Sequence, residues 1–150
     1  MGVIDRFYTA FAERDPEGMA RCYAPDARFS DPVFPDLDGE QVRAMWRMLV
    51  TSGTDLHVTH SEVEEGATRG RCRWDAWYTF SRTGRPVHNI IRSEFVLRDG
   101  FIVEQRDRFD FWRWSRQALG PMGWLLGWTP WLRDRVRATA ARSLAKTMGR

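Results

Sequence analysis

PVHNIIRSEFVLRDGFIVEQRDRFDFW, Pro86 to Trp112, decides the fold. Asp99-Gly100 stands near its middle, and that dipeptide favours the tight turn of a β-hairpin. Before the turn Val87, Ile91, Phe95 and Leu97 recur at even spacing, and after it Phe101, Val103, Phe109 and Phe111 do the same. Successive side chains of a strand point to opposite faces, so the spacing predicts antiparallel strands over 86–98 and 101–112. Upstream, Glu65-Gly66 and Thr83-Gly84 mark two further turns and predict strands over 56–64 and 69–81.

The N-terminal third reads differently. Val3, Ile4, Phe7, Tyr8 and Phe11 fall at helical spacing and predict an amphipathic helix over 2–14. Asp15-Pro16, a cap followed by proline at the first helical position, opens a short second helix through Cys22. A short strand is expected over 26–31, stopped by Pro32. Asp38 with Gln41 three residues on has the spelling of a capping box, which opens a third helix through about Val50. Helices first and then a run of hairpins imply an α+β fold, with the helices packed on one face of a curved antiparallel sheet.

The 150 residues suit one main domain, large enough to bury most of its chain's surface. Of 23 basic residues all but Lys146 are arginine, and their distribution matters more than the net charge of +3. Residues 111–150 carry +7, with Asp134 the sole acid, whereas residues 1–110 carry −4. The two cysteines, Cys22 and Cys72, suggest no disulfide framework. The most apolar segment, Leu119 to Leu132, is cut by Gly and Pro and is shorter than the ~20 residues of a membrane span. Asp5 and Arg6 interrupt any N-terminal apolar run, so the expectation is a cytoplasmic protein without a secretory leader.

Sorting each strand by face picks out the chemistry. Cys72, Trp74, Ala76, Tyr78 and Phe80 form one apolar set, and Val87, Asn89, Ile91, Ser93, Phe95 and Leu97 another. In the last strand Phe101, Val103, Gln105, Asp107, Phe109 and Phe111 share a face, and in the first Ala27, Phe29 and Asp31 do. Most charges fall outward, yet Asp31 and Asp107 fall with the apolar sets. A carboxylate on an apolar face is either satisfied structurally or raised in pKa for use. Asp31 before Pro32 could simply close a turn on nearby backbone amides, and Asp107 could be a buried acid held by Asn89 or Tyr78.

This order of elements, with Cys22-Tyr23-Ala24-Pro25-Asp26-Ala27 leading into Ser30-Asp31-Pro32, resembles the NTF2-like superfamily over residues 3 to about 112. Ketosteroid isomerases, SnoaL-type polyketide cyclases and limonene epoxide hydrolases belong to it. The resemblance implies a cone-shaped fold of the cystatin-like roll type, an apolar ligand pocket between helices and sheet, and a homodimer formed through the sheet. Asp31 occupies the place of the isomerase general base. The places of its oxyanion-hole tyrosine and aspartate are taken by Phe7 and Ser93, so both strong donors are missing there. Asp107 resembles the acid that epoxide hydrolases carry on their last strand. Arg73-Trp74-Asp75 has the spelling of that family's Arg-x-Asp, although strand parity turns Arg73 and Asp75 outward.

The expected site therefore has Asp31 and Asp107 as acid/base residues. Phe7, Phe29, Trp46, Trp74, Tyr78, Asn89, Ser93 and Gln105 are expected to contact a small apolar substrate. No metal-ligand spacing and no phosphate loop occurs, so neither metal nor cofactor is expected. The alternative is a non-catalytic binding or dimerisation module. Residues 113–150 are expected as an extension packed on the 1–112 domain, its helix broken at Gly120, Pro121, Gly123 and Gly127 and resuming as a basic helix from Trp131 to about Met148. The extension should cover the pocket mouth or the dimer edge, its Trp-rich part buried on the open end of the fold or on a second subunit and its final helix laying Leu132, Val136 and Leu144 inward. Contact with an anionic membrane is the second reading of this segment, and nucleic acid the last.

Overall fold

The computed structural model describes residues 2–150. Helix α1 spans Val3–Ala12 and α2 spans Pro16–Ala20. Strand β1 is Tyr23–Ser30, followed by the two-residue β2 at Leu37–Asp38 and helix α3 at Gly39–Ser52. The meander is β3 His57–Glu65, β4 Arg69–Phe80, β5 Arg85–Arg98 and β6 Phe101–Arg108. Helices α4 Phe111–Leu119, α5 Pro121–Leu126 and α6 Pro130–Thr147 complete the chain. One six-stranded sheet runs β2-β1-β6-β5-β4-β3, antiparallel except where β1 lies parallel to β6.

The helix starts follow from local chemistry. Asp38 and Gln41 form the reciprocal capping box at α3, with both bonds at 2.9 Å. Helix α1 is capped from the sheet instead: the Glu65 carboxylate accepts from the amides of Val3 and Ile4 at 3.2 and 2.9 Å. That cap pins α1 across β3, while Ile4 packs so near Gly70 of β4 that a Cβ there would lie 2.4 Å from Ile4 Cδ1. Phe7, Tyr8 and Phe11 of α1 then stack into Trp46, Trp74, Tyr23 and Phe95, forming the aromatic heart of the core.

Four expectations change. Strand β1 begins at Tyr23, ahead of the expected 26, and stops at Ser30, which leaves Asp31 in the turn beyond it. Strand β6 ends at Arg108, short of 112, because Asp110 accepts from the Arg113 amide at 3.0 Å and starts α4. Phe111 is therefore a helical residue. The glycine-rich stretch after Pro121 is helical too. Gly123 allows α5 to lie against α4, since a Cβ there would meet the Ser115 carbonyl oxygen at 1.9 Å.

The fourth change concerns the tail. Helix α6 packs along α3, burying Leu132 and Leu144, and Arg137 Nε donates to the Pro32 carbonyl at 2.9 Å. The Trp-rich corner is not buried: Trp124, Leu125, Trp128 and Trp131 are 56%, 72%, 69% and 53% exposed. The side chains of α5 point away from the face by which it docks. No helix among the described residues is long and apolar enough to cross a membrane.

Leu144 belongs to the main core cluster, so Leu144→Ala should lower the unfolding free energy by about 2–4 kcal/mol in urea denaturation. An unchanged midpoint would show that α6 is not part of the cooperative unit.

Candidate active site

A cavity of about 760 Å³ opens between α3, α6 and the concave face of the sheet. Asp31 and Asp107 both line it, and so do Trp46, Trp74, Tyr78 and Asn89. The other expected contacts lie elsewhere. Phe7 and Phe29 are fully packed in the core behind the wall, and Ser93 and Gln105 are buried beneath Asp107. Strand parity placed Ser93 and Gln105 on the correct face. It could not show that the cone closes over them at that depth.

Ser93 of β5 and Asp107 of β6 are directly paired across the two strands. Ser93 Oγ donates to Asp107 Oδ1 at 2.5 Å, and Gln105 Nε2 donates to the same oxygen at 3.1 Å. Behind each donor stands a relay. Tyr8 Oη and Trp74 Nε1 donate to Ser93 Oγ at 3.1 and 2.9 Å. Tyr23 Oη donates to Gln105 Oε1 and accepts from Trp46 Nε1, the latter at 2.9 Å. Both bonds to the carboxyl fall on Oδ1, so among the described residues Oδ2 takes none, and it is the oxygen available to the cavity. Neither Asn89 nor Tyr78 holds Asp107; Tyr78 Oη instead accepts from Trp114 Nε1 at 2.8 Å.

Asp31 is held by its own turn. Its Oδ1 accepts from the amides of Val33 and Phe34 at 2.7 and 2.5 Å, and its own amide donates to the Phe34 carbonyl at 2.8 Å. The turn reading of Asp-Pro is thus correct, and the turn places the carboxyl at the cavity wall. Burial pushes the Asp31 carboxyl up to about 6, against the two amides and the nearby Arg137, which favour the anion. Burial pushes Asp107 up to about 7, with Ser93 and Gln105 opposing the shift and the Asp31 charge adding to it. The cavity thus holds two carboxyls that titrate near neutrality.

Arg73 and Asp75 do not reach this cavity. Asp75 lies on the outer sheet face, where Arg73 Nε and Nη2 bond it at 2.9 and 3.0 Å and His88 Nε2 lies 2.8 Å away. The Arg73 hydrogen bond holds its carboxyl down at about 2, with His88 adding to the effect. That is a structural ion pair, and the Arg-x-Asp spelling has no catalytic counterpart here. Among the described residues no group of three His, Cys, Asp or Glu side chains is placed to hold a metal ion.

The roof of the cavity is the final helix, which lays Leu132, Val136 and Leu144 inward as its apolar stripe implied. Leu132, Val136, Thr139, Ala140 and Ser143 of α6 line it, together with Leu119 and Met122. Thr139 and Ser143, at i+3 and i+7 from Val136, border that stripe and were not picked out by the sequence. Tyr8 and Tyr23 were also missed as relay residues, because nothing in a sequence shows which buried hydroxyl meets which acid.

Comparison with known proteins agrees with this architecture. The family model described as a SnoaL-like domain matches residues 4–105. Among solved structures, IdmH, a candidate polyketide cyclase from Streptomyces antibioticus, superposes with a TM-score of 0.65 at 24% identity, covering 77% of this chain and 94% of its own. A protein from Catenulispora acidiphila with a ketosteroid isomerase-like fold, solved with trimethylamine, gives 0.69 at 14% identity, covering 81% and 95%. A candidate SnoaL-like polyketide cyclase from Jannaschia gives 0.67 at 16% identity, covering 79% and 92%. Likeness at these identities carries the fold alone. Comparison with curated proteins gives no match.

The raised carboxyls have a consequence for stability. An unfolded aspartate titrates at about 3.9. The folded groups titrate at about 6 and about 7, so between these limits the native state binds more protons than the unfolded chain. Stability is therefore greatest on the acidic side of the window and declines as pH rises through the folded values. Asp107→Asn keeps the shape and the hydrogen bonds to Oδ1 while removing the charge. It should raise stability at about pH 8 by on the order of 1–4 kcal/mol and change little near pH 4. Thermal melts across pH would reveal this; a wild-type curve that rises with pH over that window would contradict the assignment.

Proposed function

We propose that this chain, which belongs to the SnoaL-like domain family, is a cofactor-free acid/base enzyme acting on a small, largely apolar molecule such as a cyclic ketone or a polyketide-like compound. The observation that carries the reading is the arrival of Asp31 and Asp107 at one apolar cavity with carboxyls poised at about 6 and about 7. Two neighbouring acids whose surroundings separate their titrations can divide the roles of base and acid.

Between those values Asp31 is ionised and Asp107 is protonated. Asp31 removes a proton from the carbon beside a substrate carbonyl, and the electron pair moves onto the carbonyl oxygen. Asp107, whose Oδ1 is occupied by Ser93 and Gln105, carries its proton on Oδ2 and donates a hydrogen bond to that developing enolate. The proton held by Asp31 is then returned at another carbon, or the enolate closes a ring by attack on a second carbonyl, whose oxygen takes the electron pair of its broken π bond and the proton from Asp31. Resemblance to the isomerases placed Ser93 where their donating acid stands; here the acid would be supplied by Ser93's cross-strand partner. Trp46, Trp74 and Tyr78 give the substrate its apolar wall, and Asn89 offers an amide to orient it.

Assembly as a homodimer belongs to the same proposal. Trp77 on the outer face is 37% exposed and stacks on His88 with ring centroids 4.5 Å apart, a flat apolar platform beside the Arg73–Asp75 pair. Such a mixed surface suits pairing across a two-fold axis.

The test is hydrogen–deuterium exchange and product formation with a panel of cyclic ketones and polyketide-like β-diketones, with binding measured separately. Asp31→Asn and Asp107→Asn should each lower turnover by about 10²-fold or more while the ligand still binds. The rate should rise as Asp31 ionises near 6 and fall as Asp107 deprotonates near 7. A ligand that binds the cavity but never exchanges would leave the chain a binding module, and variants with unchanged rates would remove the two aspartates from the mechanism.

A further inference from the structure

We propose that the corner formed by α4, α5 and the start of α6 docks onto anionic phospholipid membrane, lying on its surface without crossing it. This inference is independent of the cavity's chemistry and rests on what this corner leaves in solvent.

Met122, Trp124, Leu125, Trp128 and Trp131 are each more than half exposed, and Trp112 beside them is 37% exposed. The exposure is built into the packing. Helix α5 docks by glycines: a Cβ at Gly123 would lie 1.9 Å from the Ser115 carbonyl oxygen, and one at Gly127 would lie 2.1 Å from Ser115 Oγ. With its bare face against α4, the helix has only its outward face for large side chains, and that face is tryptophan, leucine and methionine. A contiguous apolar surface of this kind in water marks an interaction site.

The charges around it identify the partner. Arg116 stands between two of these indoles, its guanidinium 4.1 Å from the Trp112 ring centroid and 4.7 Å from that of Trp124. Its Nε is buried with no hydrogen-bond partner. Arg135 lies over Trp131 at 5.2 Å, and Arg133 lies near Phe111 at 5.8 Å. None of the three arginines makes an ion pair among the described residues, and Asp134 is the sole acid in a segment carrying +7. Two copies meeting at this corner would press like charges together. A membrane surface offers what the corner lacks, phosphate oxygens for the arginines above an apolar layer for the aliphatic tips, with indoles at the boundary between them. Each arginine near an anionic leaflet adds on the order of 1 kcal/mol to such binding.

The experiment is co-sedimentation of the full chain with vesicles of phosphatidylcholine alone and of phosphatidylcholine mixed with phosphatidylglycerol, alongside light scattering. Wild type should pellet with the anionic vesicles, much less with the neutral ones, and release as salt is raised. Leu125→Glu combined with Trp128→Glu should weaken that binding by about tenfold or more with an unchanged melting temperature. Arg116→Gln combined with Arg135→Gln should weaken binding to anionic vesicles and leave the weak neutral binding as it was. No binding to anionic vesicles, equal binding to both compositions, or full binding by the Leu125 and Trp128 variant would overturn the proposal. So would a dimer that this variant dissolves without affecting vesicle binding, since a second copy would then be the occupant.

Discussion

The bond from Ser93 to Asp107 joins the fold to the site. It spans a directly paired position of β5 and β6, so it forms only if those two strands are in register. A slip of one residue would turn the carboxyl to the outer face, among the arginines. Its partners come from further away. Tyr8 brings α1 to Ser93, Trp74 brings β4, and Tyr23 and Trp46 tie β1 and α3 to Gln105. Each of these aromatic residues also packs in the core, so the helices cannot settle on the sheet without completing the acid's hydrogen bonds. A buried carboxyl is costly when its bonds are left unmade, which makes this network a requirement of folding as well as of the site.

Much of this was legible because the meander obeys a period of two. Parity separated Asp107, Gln105, Ser93 and Asn89 from the outward charges, and it turned Arg73 and Asp75 away from the pocket, where they lie. The capping spelling at Asp38 and the glycines of the hairpins were equally readable. Depth was not. Whether an inward residue reaches the cavity or stops beneath it depends on how far the cone narrows, and no local pattern encodes that. Ser93 and Gln105 lie on the predicted face and touch the acid where they were expected to touch the ligand. Asp31 was selected by its neighbours in sequence, yet it lies beyond the strand, and the amides of its own turn aim its carboxyl.

The Trp-rich corner was misread for a different reason. A cluster of tryptophans and leucines was expected to bury itself, because burial is the ordinary fate of apolar surface. Gly123 and Gly127 were taken as helix breakers, whereas they give α5 a face thin enough to lie against Ser115. Once the bare side is committed to docking, the large side chains have no interior to enter. The composition was therefore compatible with two opposite structures, and a backbone contact decided between them.

The same extension serves two surfaces. Along α6, Val136, Thr139, Ala140 and Ser143 roof the cavity, and Arg137 reaches the Pro32 carbonyl next to Asp31. Arg137 favours the Asp31 anion, so the helix that closes the cavity also tempers the acid within it. At its N-terminal end the helix meets the exposed tryptophan corner, and Met122 and Leu132 border the cavity at that end. An apolar ligand reaching the carboxyls from that direction would pass the corner first. If α6 shifted on α3, the roof and the Arg137 contact would move with it, so the electrostatics of Asp31 are coupled to a helix outside the matched SnoaL-like region. The cavity is thus roofed by a part of the chain that lies outside the residues matched by the SnoaL-like family model.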